Sequence, residues 1–318
     1  MPAAAPVVVE PHVLEMVGKG QVRAWALPMP LSGPRDVLVA ADGTVWITEQ
    51  NRSVLDSLHD GRLERHRVDE FPSESGAFSL AAAPDGSIWF SGYPEGSTGR
   101  VLPDGDANVF EALGPRSSTI GIAVAEDGTV WVADVARGAL ARLSTDGSAD
   151  LLPVPGSAAA APSPRDLAIA PDGTVWFTDP GTGSVGSVRD GDPPQVETYP
   201  VGNGTEPRSI ALAPDGTPWF TLGNGKEIAH IDPADGSATI VSVPSATGKL
   251  NDLAVATDGT LWITEQGRDV LHVSADGSVI ERYRLPAGAA YADGIALAPG
   301  GDVWVAATDA NLVVQITP

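Results

Sequence analysis

Residues 165–179 read RDLAIAPDGTVWFTD, and the phrase returns six more times along the chain. The other copies are RDVLVAADGTVWITE (35–49), FSLAAAPDGSIWFSG (78–92), IGIAVAEDGTVWVAD (120–134), RSIALAPDGTPWFTL (208–222), NDLAVATDGTLWITE (251–265) and DGIALAPGGDVWVAA (293–307). Their tryptophans, Trp46, Trp89, Trp131, Trp176, Trp219, Trp262 and Trp304, stand 42 to 45 residues apart, and only Trp25 lies outside the pattern. A period in the forties built from short strands and turn signals marks a radially repeated sheet protein. In the first copy two strands, 36–40 and 44–48, meet at Asp42-Gly43, where glycine accepts the positive φ of a tight hairpin. A third strand is expected over 53–58. A second Asp-Gly follows at Asp60-Gly61, and a fourth strand ends near Phe71-Pro72. The reading is all-β: a seven-bladed β-propeller of four-stranded antiparallel blades, each tryptophan buried against a neighbouring blade.

After Trp304 the chain has room for a third strand only, 312–317. The stretch QVRAWALP (21–28) matches the fourth-strand stretch VIERYRLP (279–286). The N-terminal strand is therefore expected to complete the last blade, closing the ring and removing a free sheet edge. Residues 19–318 form one domain on this reading, residues 1–18 a flexible tail, and 153–164 a flexible insertion between blades three and four.

Lys and Arg number 19 against 41 Asp and Glu, a net charge of −22, which excludes a nucleic-acid surface and anionic membranes. With no cysteine there is no disulfide and no thiolate chemistry. The N-terminus lacks the basic segment and apolar core of an intact signal peptide, and no run reaches membrane-spanning length. The expectation is a monomer, cytoplasmic or soluble and extracellular, that takes a small-molecule substrate or ligand.

In such a ring the first strand of each blade lines the central channel. Eleven residues before each tryptophan lies an entry position: Arg35, Phe78, Ile120, Arg165, Arg208, Asn251 and Asp293. Three residues after it lies an exit position: Glu49, Gly92, Asp134, Asp179, Leu222, Glu265 and Ala307. A plain hairpin register sets entry against exit, so Arg35–Glu49 and Arg165–Asp179 are expected as cross-strand ion pairs. Arg208, Asp134 and Asp293 then lack a partner in their own blades. Asn251, Glu265 and Asp293 form an oxygen-rich group of the kind hard cations prefer. His12 and His59 fall in a tail and a turn, and His66 in an outer, solvated strand. His230 and His272 fall on third strands away from the channel. Neither a Ser-His-Asp constellation nor a phosphate-loop motif occurs.

The phrases PRDLAIAPDGTVWFTD (164–179) and PRSIALAPDGTPWFTL (207–222) resemble the virginiamycin B lyase family over nearly the whole chain. That resemblance implies a seven-bladed propeller. It also implies elimination at the ester linkage of a cyclic depsipeptide, using magnesium, histidines and acidic residues at the channel mouth. The histidine positions correspond here to Asn251 and Asp293, and the acidic position closing the last blade to Ala307 or Thr308. LNDLAVATDGTLWITE (250–265) and ADGIALAPGGDVWVAA (292–307) are similar to phrases of the gluconolactonase family. There the resemblance implies metal ligands at Asn251 and Asp293, with Glu265 or Glu49 as a third. Asp252 stands where that family has glycine.

The expected function is therefore that of a lyase- or hydrolase-type enzyme acting on an ester, lactone or related cyclic compound. A divalent cation, Mg or Ca, would sit on Asn251, Glu265 and Asp293, with no organic cofactor. Arg208, Asp293, Lys249 and Tyr291 are the catalytic candidates, and Arg35, Arg165 and Phe78 the substrate-binding ones. The alternative is a non-catalytic scaffold that binds a ligand or protein on one face of the ring.

Overall fold

Seven antiparallel sheets stand around a common channel in a computed structural model of the chain. The structure describes residues 7–8, 12–14, 21–52, 54–68, 76–94, 96–111, 113–114, 116–144, 148–156, 160–189, 194–202 and 204–318. Blade one runs outward through Pro34–Val39, Val45–Glu49, Val54–His59 and Arg62–Arg67, and the later blades repeat the order. In blade seven Gln21–Ala26 pairs with Leu312–Thr317, with Trp25 opposite Val313, so the N-terminal strand closes the ring as expected. Within 1–18, Val7–Val8 adds to the outer edge of blade one and His12–Leu14 to that of blade seven; the rest of that segment lies outside the described residues. So do Ser53, the Phe71-Pro72 strand end and 157–159 of the insertion.

Each tryptophan of the repeat fills the space between its own blade and the next. Trp304 packs with Val37, Val45, Ile47 and Leu58 of blade one and with Trp25, while Trp262 packs against Ile295, Val303 and Val305 of blade seven. The hairpins are turns, not ion loops. Gly43 takes φ +84°, its N–H reaches the Ala40 carbonyl at 2.9 Å, and Asp42 accepts the Thr44 N–H at 2.9 Å.

The first hairpin of each blade departs from the plain register. Val37 pairs with Ile47, but Pro34 rather than Arg35 stands opposite Glu49, so Arg35 and Asp36 together oppose Thr48. The same bulge recurs in blades two, three, five, six and seven. In blade four the contacts of Arg165 and Asp166 with Thr178 give the same two-to-one arrangement. A bulge bends the strand and re-aims two consecutive side chains. Here both turn toward the channel.

The hydroxyl two residues after the tryptophan supplies what the bulge takes from the ladder. Thr221 accepts the Ser209 N–H at 3.3 Å and donates to the Asn251 carbonyl of the next blade at 2.7 Å. Thr178 reaches the Arg208 carbonyl at 2.9 Å, Thr264 that of Asp293 at 3.0 Å, and Thr48 that of Phe78 at 3.2 Å. Each of these threonines ties one blade to the entry residue of the following one.

Candidate active site at the channel mouth

The bulges present two tiers of side chains to one cavity of about 160 Å³. The outer tier is the entry column: Arg35, Phe78, Ile120, Arg165, Arg208, Asn251 and Asp293 all line it. One residue further along each strand lies a tier containing Asp36, Ser79, Asp166, Ser209, Asp252 and Gly294. Gly294 is required there by close approach, since a Cβ would meet the Asp36 Cα and Oδ1 at 2.7 Å.

The inner tier staples the ring. Asp36 accepts the Val37 N–H at 2.8 Å and, from the next blade, the Leu80 N–H at 2.9 Å. Asp166 does the same for Leu167 and Ile210, and Asp252 for Leu253 and Ile295. Ser209 Oγ also donates to Asp252. Burial pushes the Asp36 carboxyl up to about 8, with the Asp252 charge adding to it. Burial, then Asp166, pushes Asp252 up to about 7, and burial raises Asp166 as well. Sequence reading missed this tier. Its signal was the aspartate that follows the entry position in blades one, four and six.

The outer tier pairs between blades instead of within them. Arg35 forms its ion pair with Asp293 of blade seven and lies 4.5 Å over the Phe78 ring, which packs at 5.4 Å against Tyr93. Asp293 also accepts the Thr308 hydroxyl at 2.8 Å. The expected Arg35–Glu49 and Arg165–Asp179 pairs are not formed. With the bulge, the exit residues point away from the channel and are fully buried. Glu49 instead joins Asp56 around Arg65, at 2.8 and 2.9 Å. Asp179 caps its loop through Ser163, Gly181 and Thr182, and Asp134 does so through Ser117, Ser118 and Arg137. Arg165 and Arg208 have no ion-pair partner among the described residues. Burial, then the charges of Arg208 and Arg35, lowers Arg165 to about 10. The Arg208 side chain runs over Gly223, whose Cβ position lies 3.0 Å from the Arg208 Cδ.

Asn251, Glu265 and Asp293 do not converge as cation ligands. Glu265 is buried away from the cavity, accepts the Thr247 and Gly248 N–H groups, and is bound by Arg282 at 2.6 Å. Asp293 is neutralised by Arg35. Asn251 donates to the Ala292 carbonyl at 2.9 Å and leaves its buried Oδ1 without a partner. No group of three His, Cys, Asp or Glu side chains placed to hold a metal ion occurs among the described residues. One free amide oxygen does not hold a divalent ion. Lys249 and Tyr291 do not line the cavity either. Lys249 is exposed, and the Tyr291 backbone is tied to Asp309 and Thr308 at the strand entrance. His66, expected to be solvated, is half-buried and tilted on Trp46 at 4.6 Å; His230 is likewise tilted on Trp219 and His272 stacks on Trp262, off the channel.

The model of the virginiamycin B lyase family matches residues 10–201 and 157–318. Among solved structures, a catalytically inactive virginiamycin B lyase from Staphylococcus aureus with quinupristin is 20% identical, at TM-score 0.85 over 94% of this chain and 100% of that one. A streptogramin B lyase is 22% identical at TM-score 0.84, covering 93% and 97%. A gluconolactonase from Xanthomonas campestris is 17% identical at TM-score 0.59, covering 100% and 98%. No curated protein matches the chain in sequence. At these identities the structural neighbours establish the shared propeller fold.

Proposed function

Because the chain belongs to the virginiamycin B lyase family, we propose that it is a small-molecule enzyme of lyase or hydrolase type, opening an ester, lactone or related cyclic compound at the channel mouth. One observation carries this reading: Arg208 faces the cavity with its charge uncompensated, one residue from the Ser209–Asp252 hydrogen bond. In elimination a base takes the proton α to a carbonyl as the ester C–O bond breaks; in hydrolysis it takes a proton from the attacking water. Either way negative charge grows on an ester oxygen, and a preorganised guanidinium stabilises it without reorganisation. Among the described residues no histidine lines the cavity, and its carboxylates are the bases at hand. Asp252, held near 7, has the basicity suited to proton transfer at neutral pH.

The reading is tested by screening esters and lactones with wild type and Arg208→Gln. We expect kcat/KM to fall by roughly 10²–10³ in the variant, with the melting temperature unchanged. An equal loss of stability and activity would count against it, as would the absence of turnover by wild type. A second reading, a ring that binds a ligand without transforming it, is favoured by the hydrogen bonds that already occupy every cavity carboxylate. It predicts saturable binding with no product.

A further inference from the structure

We propose that the mouth selects substrates bearing a free carboxylate, and that Arg165 is the residue that binds it. The proposal rests on the reading of the cavity as a catalytic site for esters or lactones, and it concerns which members of that class enter. Three guanidinium groups line one small cavity in a chain of net charge −22. They are not equivalent. Arg35 is neutralised by Asp293 and packed on Phe78. Arg208 lies one residue from the Ser209–Asp252 pair and is assigned to the charge that grows on the ester oxygen. Arg165 is left over: half-buried, facing the cavity, and without a carboxylate partner among the described residues. The acidic residue that its own hairpin offers, Asp179, is committed to its loop.

A confined guanidinium without a counter-ion costs stability, and it gains most from a bidentate carboxylate that arrives with the ligand. Two blades further round the ring, the unpartnered Oδ1 of Asn251, a residue only 4% exposed, asks for a hydrogen-bond donor. On the other side of Arg165, Ile120 and Phe78 of blades three and two supply an apolar wall. The three aspartates of the inner tier disfavour the compact charge of phosphate, whereas a carboxylate matches the planar fork of the guanidinium. The site therefore fits a compact ester or lactone that carries a carboxylate and a hydroxyl or amide N–H.

Calorimetric titration with glutarate, its neutral isostere glutaramide and inorganic phosphate tests the anion site without turnover. Wild type is expected to bind glutarate saturably and glutaramide at least tenfold more weakly. Arg165→Gln should lose roughly ten- to a hundredfold in glutarate affinity, with an unchanged or higher melting temperature, and Arg165→Lys should recover part of it. Equal binding of glutarate and glutaramide, tighter binding of phosphate, or an Arg165→Gln variant that binds glutarate as wild type does would overturn the assignment. Turnover is compared on γ-butyrolactone and its 5-carboxylate. A preference of kcat/KM for the carboxylated lactone that disappears in Arg165→Gln supports the proposal. Glutarate binding with no lactone opened would refute the enzymatic reading and leave the anion site standing. Lactone opening indifferent to the carboxylate would do the reverse.

Discussion

Arg65 and Arg165 are both arginines walled in by protein, and they carry opposite obligations. Arg65 sits between Glu49 and Asp56, two fully buried carboxylates, and forms an ion pair with each. Glu49 is driven up to about 8 by burial and then by Asp56, with Arg65 acting against that rise. Removing one partner of a buried ion pair leaves the other charge uncompensated, typically at about 3–5 kcal/mol. Arg65→Gln is therefore expected to lose about that much in urea denaturation. Arg165→Gln, which strands no carboxylate, should lose nothing measurable by the same assay. A comparable loss in both would mean that Arg165 serves the fold and not a ligand. His230 and His272 belong with Arg65 as packing groups: they lie against Trp219 and Trp262, and among the described residues no histidine lines the mouth.

The inner hairpin of each blade does more than bury a tryptophan. Its bulge turns two side chains inward, and the threonine opposite replaces the lost ladder bonds while binding the next blade. Thr221 shows the whole device, taking the Ser209 N–H and giving its proton to the Asn251 carbonyl. Thr221→Val keeps the shape but orphans a buried donor and a buried acceptor. The expected cost is about 1–3 kcal/mol, read as a lower urea midpoint at unchanged m-value. A midpoint equal to wild type would show that water or backbone adjustment satisfies both groups. Ala133 and Ala306 occupy the corresponding places in blades three and seven, where this hydroxyl is missing. At the closure of the ring Thr308 instead reaches the Pro34 carbonyl at 2.7 Å.

For the ring as a whole, Asp36, Asp166 and Asp252 bring negative charge into one confined channel. Asp36 ionises near 8 in the folded protein against an ordinary value of 3.8, and Asp252 near 7. The native state therefore holds protons that the unfolded chain has released. The stability this contributes is fully present below about 4 and is lost as pH rises through 7 to 8. Asp36→Asn removes one of these groups, so its melting temperature should fall less steeply than that of wild type between pH 5 and 8. Parallel curves would show that Asp36 titrates as an ordinary carboxylate.

The repeat, the turns and the strand that closes the ring were legible in the sequence alone. Each is a local pattern whose physics is complete within a few residues: alternation buries one face, Asp-Gly permits the turn, and a misplaced fourth strand matches its siblings. The entry column was legible too, because position along the first strand decides which residues meet at the mouth. The partners of those residues were not. A single extra residue in each inner hairpin moves the exit column out of the channel, converting the expected Arg35–Glu49 pair into Arg35–Asp293 and Arg65–Glu49. The staples that hold the channel run between positions 43 or 44 residues apart, such as Asp36 to Leu80 and Asp252 to Ile295. Sequence spacing identifies what each blade brings to the mouth. Only closing seven blades into a ring decides which charges are neutralised there and which, like Arg165 and Arg208, are left without a counter-ion among the described residues.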